Sequence, residues 1–122
     1  MKSEIKQRWI EALRSGDYEQ GKEYLNNHNR FCCLGVLCDL YSQDCNVDWE
    51  TDPHKITTLK TLFNEQDYLP MPVTLWAGIV PKDKENISTD IETSKGNLSW
   101  LNDSGATFGD IANIIEEEIP ND

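Results

Sequence analysis

The sequence predicts an α+β fold in which helices dominate, one domain over residues 1–122 carrying a small antiparallel sheet. Three observations predict it. Apolar residues recur at helical spacing near both ends of the chain. The most apolar segment, Phe31 to Tyr41, does not alternate and is long for a strand. Between these stretches lie short runs punctuated by Asn, Gly and Pro, which read as turns and brief strands. An all-α fold is the alternative.

The first helix should start at Ser3, whose hydroxyl suits an N-cap, and place Ile5, Trp9, Ile10 and Leu13 on one face. It should stop at Ser15-Gly16, because glycine tolerates the left-handed turn beyond a helix end. A short strand is expected over 22–25, followed by turn chemistry from Asn26 to Asn29. A buried helix then runs from about Cys32 to Gln43. Gly35 weakens that helix by about 1 kcal/mol relative to alanine, so another element is expected to pack closely over its turn.

Residues 44–68 read as a loop-rich excursion broken by Pro53, with a short helix or strand over 56–63. A short helix follows in the stretch 68–79, with Pro72 in its first turn and Gly78 at its end. A polar loop covers 81–90. One or two strands are expected over 91–101, with Gly96-Asn97 as a hairpin turn. The last helix has the clearest start. Thr107 and Asp110 fit a capping box, Phe108, Ile111, Ile115 and Ile119 share a face, and Pro120 ends it. Glu116 to Glu118 fall in its last turn, where the helix dipole disfavours negative charge. The core should form around Trp9, Leu34, Leu37, Phe108, Ile111 and Ile115, and the sheet from 22–25 and 91–101.

A chain of 122 residues is long enough to bury a core of its own. No apolar run reaches membrane-spanning length and no apolar signal-peptide centre follows the N-terminus, so the expected location is the cytoplasm in which the chain is made, with no membrane partner. Cys32, Cys33, Cys38 and Cys45 then read as free thiols, most of them buried, rather than a disulfide framework. His28 and His54 are isolated, and no metal or other cofactor is expected. Asp44, Asp48, Glu50 and Asp52 offer carboxylates to a hard cation but lack the calcium-loop pattern, so a solvated acidic loop is the expected reading.

The net charge of −11 is unevenly spread. Residues 1–30 hold six basic and five acidic groups, while the rest holds five basic and seventeen acidic. Such an acidic body repels nucleic acid, so direct DNA or RNA binding is not expected. Neither a phosphate-binding glycine loop nor a Gly-x-Ser-x-Gly elbow is present. Three features remain as ligand candidates. Leu101-Asn102-Asp103-Ser104-Gly105 stands ahead of the last helix and offers polar edges, or is simply a turn. Trp49, Trp76 and Trp100 are stacking platforms or core anchors. Arg30 is a phosphate contact or an ordinary surface cation.

The run Trp9-Ile10-Glu11-Ala12-Leu13-Arg14-Ser15-Gly16, then Tyr18 and Gln20-Gly21, then Phe31 to Leu40, resembles a family of small phage- and prophage-encoded proteins. Leu69-Pro70, Val73, Trp76-Ala77-Gly78 and Leu101 to Phe108 extend the resemblance through the second half. It implies action on a host system but brings no catalytic mechanism with it. The first expectation is a counter-defence protein that binds and sequesters a nucleotide immune signal, such as a cyclic nucleotide, without cleaving it, in a pocket often shared between protomers of a homo-oligomer. That pocket would use Gln20, Lys22, Arg30, Trp76, Asn102, Asp103 and Thr107. The alternatives are an acidic nucleic-acid mimic that occupies a basic host protein, such as a nuclease or CRISPR effector, and an enzyme that degrades the signal.

Overall fold

A computed structural model describes residues 1–51, 59–79 and 88–121. The elements run α1 (Ser3–Ser15), β1 (Glu19–Gln20), β2 (Asn26–Asn27), β3 (Arg30–Phe31), α2 (Cys33–Cys45), β4 (Glu50–Thr51), β5 (Leu59–Thr61) and β6 (Leu69–Pro70). They continue with α3 (Met71–Ala77), β7 (Ser88–Thr89), β8 (Glu92–Thr93), β9 (Gly96–Asn97), α4 (Leu98–Asp103) and α5 (Phe108–Glu118). The fold is α+β and helix-dominated, as the periodicity predicts. Pro53 and His54, the beginning of the 56–63 segment and most of the polar loop at 81–90 lie outside the described residues.

α1 buries Ile5, Trp9, Ile10 and Leu13, and Gly16 ends it at φ 80. Its cap is Lys2 rather than Ser3. The Lys2 N–H is bonded to the Ala77 carbonyl at 2.9 Å, so a tertiary contact sets the helix start one residue earlier than the side-chain chemistry suggests. α2 runs two residues past the expected end because Asn46 adopts the left-handed conformation at φ 52 and closes it. Its N-cap is Cys32, whose sulfur accepts the Gly35 N–H. α3 carries Pro72 in its first turn and ends at Gly78, φ 73, as expected. In α5 both halves of the capping box are formed.

Five strands pair in the order β1-β3-β2-β5-β4. The sheet is mixed rather than antiparallel, because β1 runs parallel to β3. The expected 22–25 strand is a turn instead, with pairing on either side of it. The Leu25 N–H goes to Gln66, the Tyr24 N–H goes back to Lys22 and the Tyr24 carbonyl accepts the Cys32 N–H, so the segment's bonds go to scattered partners and build no regular strand. His28 and Asn29, at φ 55 and 60, close the β2–β3 hairpin as a two-residue turn. The 91–101 region holds two strands, as expected, but in a different arrangement. Gly96-Asn97 is a strand paired with Glu92-Thr93, and residues from Leu98 onward are helical. Leu98 and Asn102, one helical turn apart, are both buried, and that periodicity overrides the partial alternation before it.

One contiguous core joins these elements, and the six expected core residues are all buried in it. Gly35 is the tightest point. A Cβ there would lie 1.8 Å from the Leu25 carbonyl oxygen, so the segment ahead of β2 lies directly on α2 and admits only glycine beneath it. The C-terminal end of α5 is neutralised from α1. The buried Lys6 ammonium donates to the Ile119 carbonyl at 2.5 Å and lies 3.4 Å from that of Glu116. A cation at this position offsets the adverse glutamates of the last turn.

Candidate functional site

The structure brings together four of the seven residues expected to bind a ligand. Gln20 Nε2 donates to Asn102 Oδ1 at 2.9 Å and to the Ala106 carbonyl at 2.8 Å. Gln20 Oε1 accepts the Phe108 N–H at the start of α5. Asn102 Oδ1 also accepts the Cys33 N–H, and its amide donates to the Gly21 carbonyl and to Asp103. Asp103 accepts the Glu23 N–H. Thr107 caps α5. Asn102 is fully buried, and its polar atoms are spent on tying β1, α2 and α4 together. These side chains hold helix starts and a turn, so their geometry is that of a clamp.

The other three stand elsewhere. Arg30 is exposed and paired with Glu19 at 3.2 Å. Lys22 is exposed in the 22–25 turn. Trp76, expected to stack beside Asn102, packs edge-on against Tyr41 with ring centroids 5.4 Å apart. The reason is that α3 buries Val73, Thr74 and Ala77, which directs the neighbouring Trp76 ring to the α2 side. Cys32, Cys33 and Cys38 are buried free thiols, and burial pushes each well away from the ionised form that a nucleophile needs, Cys32 to about 12. Only Cys45 is exposed. Of the acidic loop, Asp44 is committed to Arg8, Asp52 lies outside the described residues, and no group of three potential ligands comes together among those described.

A different constellation is open to solvent. Asp39, the acidic residue within the most apolar segment of the chain, accepts from three donors on three segments. Tyr18 Oη lies 2.6 Å from Asp39 Oδ2, Gln43 Nε2 2.8 Å from the same oxygen, and Trp49 Nε1 2.9 Å from Oδ1. The Tyr18 ring stands edge-on to Phe31 at 5.1 Å, and Phe31 packs edge-on to Trp49 at 6.2 Å. Burial, with the neighbouring Asp39 carboxylate, drives the Tyr18 phenol above its ordinary value and keeps it a neutral donor.

Tyr18, Phe31 and Asp39 line a cleft of about 840 Å³ between α1 and α2. Its size suits a small molecule or a few side chains of a partner. Glu11, Asp17 and Glu19 share its wall with a single described cation, Arg8. Arg8 makes two hydrogen bonds to Asp44, at 2.7 and 2.9 Å. That bond holds the Asp44 carboxyl below its usual range and the Arg8 guanidinium above its own. The cleft therefore presents aromatic surface with an excess of carboxylates. Asp39 and Arg8 are not among the residues that the sequence predicts for a site. The signal available for Asp39 was a lone charge inside an apolar helix, which must find partners when the helix is buried.

Residues 1–119 match the model of a domain family of unknown function, DUF8296, and the chain belongs to that family. Comparison with curated proteins and with solved structures found no match.

Proposed function

We propose that this is a binding protein that engages the basic surface of another protein through the acidic, aromatic-lined cleft between α1 and α2. The observation that carries this reading is the charge of the cleft wall. Four carboxylates, Glu11, Asp17, Glu19 and Asp39, line the cleft beside one guanidinium, Arg8, that Asp44 already neutralises, and a second, Arg30, is held at the rim by Glu19. Such a wall attracts Arg and Lys side chains and repels an added anion. The net charge of the whole chain, −11, supports the same class of partner, because an acidic protein attracts a basic one. The resemblance to phage and prophage proteins adds a setting, the cytoplasm of an infected cell, and a class of partner, a basic host defence protein.

The test is retention of host proteins on the immobilised wild type and on a Glu11→Gln, Asp17→Asn, Glu19→Gln variant. Basic proteins should be retained by the wild type, released as salt rises, and lost by the variant. Equal retention by the variant would remove the cleft from the reading.

Sequestration of a nucleotide signal is the second reading, favoured by one observation. Arg8 lines the cleft and Glu19 holds Arg30 at its rim, so both described arginines of this face are already oriented. A panel of cyclic nucleotides in a thermal-shift assay tests it, since a ligand that binds only the folded state must raise its stability. Recovering the ligand after denaturation then separates sequestration from degradation.

A further inference from the structure

Of the tryptophans considered as stacking platforms, the fold occupies two. Trp49 donates its indole N–H to Asp39 and meets Phe31, and Trp76 is half-buried against Tyr41. Trp100 is 60% exposed. It is nevertheless seated on the backbone, because a Cβ at Gly96 would lie 2.9 Å from its ring and Gly96 sits at φ +124. The β8–β9 hairpin thus carries a glycine where both the backbone and the indole require one.

Trp100 borders a depression of about 670 Å³, together with Glu92, Ser94, Asn97 and Glu118. It shares no lining residue with the α1–α2 cleft. Glu118, at the end of α5, is held in place across the depression. Its two oxygens accept from the Ser94 N–H at 2.7 Å and the Ser94 hydroxyl at 2.8 Å. Each carboxylate oxygen can accept a further bond. The Ser94 N–H, with the hydroxyl and nearby Lys95, holds the Glu118 carboxyl below its usual range, so it stays ionised.

We propose that this depression is a seat for a guanidinium group, presented by an arginine in a basic peptide segment. A guanidinium stacks flat on an indole and pairs with carboxylate oxygens in its own plane, which matches a fixed aromatic ring beside a fixed carboxylate. The ionised Glu118 carboxylate disfavours an anionic ligand. Lys95, on the hairpin turn, competes for the same carboxylate and sets the sign of one control.

The experiment follows the Trp100 indole N–H by NMR while the full chain is titrated with acetyl-Gly-Arg-Gly-amide. The neutral citrulline peptide of the same shape is the comparison. The arginine peptide should shift the Trp100 signal saturably and bind about fivefold more tightly than the citrulline peptide. Trp100→Ala should abolish the shifts at Ser94 and Gly96, and it should fold, as confirmed by its melting curve, because the ring is mostly exposed. Glu118→Gln should weaken binding about threefold and Lys95→Gln should strengthen it. Equal affinity for citrulline, or no shift of Trp100 at tens of millimolar peptide, would overturn the inference. Shifts confined to Tyr18 and Phe31 would overturn it too, while leaving the cleft reading standing.

Discussion

Asn102 and Asp39 each gather hydrogen-bond partners from several segments, yet Asn102 is wholly buried and Asp39 stands at the edge of a cleft. Asn102 bonds the backbone of Cys33 and Gly21 and the side chains of Gln20 and Asp103, and Gln20 in turn bonds the backbone of Ala106 and Phe108. Around Asp39 the partners are side chains, Tyr18, Gln43 and Trp49. A buried amide that satisfies backbone groups fixes the path of the chain, and its loss strands those groups without water. A carboxylate at an opening, ringed by side-chain donors, is held in position but remains within reach of a partner. Similar polar chemistry serves the scaffold in one place and a candidate site in the other, and exposure decides which.

Raising the pH is the broadest way to test that division, because four groups act together. Burial raises Cys32, Cys33 and Cys38, on the closed side, and Tyr18, on the open side, above their ordinary values. The unfolded chain loses these protons at lower pH than the folded one. Stability is therefore full below the ordinary thiol range and falls as the pH rises above about 9. Melting temperature against pH should show the decline, and Tyr18→Phe should soften it only slightly, since three of the four groups remain. At neutral pH a thiol reagent should label Cys45 alone until the protein unfolds.

Gly35→Ala should be the most damaging substitution. The new methyl group would meet the Leu25 carbonyl, and urea unfolding should show a loss of roughly 3 kcal/mol or more. Asn102→Ala should follow closely, at about 3 kcal/mol, by stranding the Cys33 N–H and loosening Gln20. A stable Asn102→Ala protein that had lost its partner would break the comparison, because it would make the clamp a contact surface.

Asp39→Asn should cost only about 1 kcal/mol, since an amide oxygen still accepts from Tyr18 or Trp49. Its effect on a basic partner should be larger, on the order of tenfold in affinity, and titration calorimetry would measure it. Unchanged affinity would move the binding surface away from the cleft.

Most of the helical framework was legible from local pattern. Ile5, Trp9, Ile10 and Leu13 have a helical period that only a buried face explains, Gly16 and Gly78 mark left-handed ends, and Thr107 with Asp110 writes a cap within four residues. The sheet was less legible because most of its strands are two residues long, too short for alternation to appear. The 98–103 helix was hidden by the hairpin beside it, and Gly35 signalled close packing without naming Leu25.

The candidate site was legible only in part, since Tyr18 and Asp39 stand within the family-like motifs but carry no local sign of their pairing, whereas Asn102 and Asp103 stand in a polar run ahead of a helix. By itself the sequence determined where the principal helices run, that the acidity belongs to the part after residue 30, and that Gly35 lies under another element. The tertiary structure decided which polar side chains are consumed. Gln20 meets Asn102 across 82 residues and Arg8 meets Asp44 across 36, and no local spacing encodes such pairs. Helix periods and caps are written within a few residues, whereas the satisfaction of a polar group depends on what the folded chain places beside it.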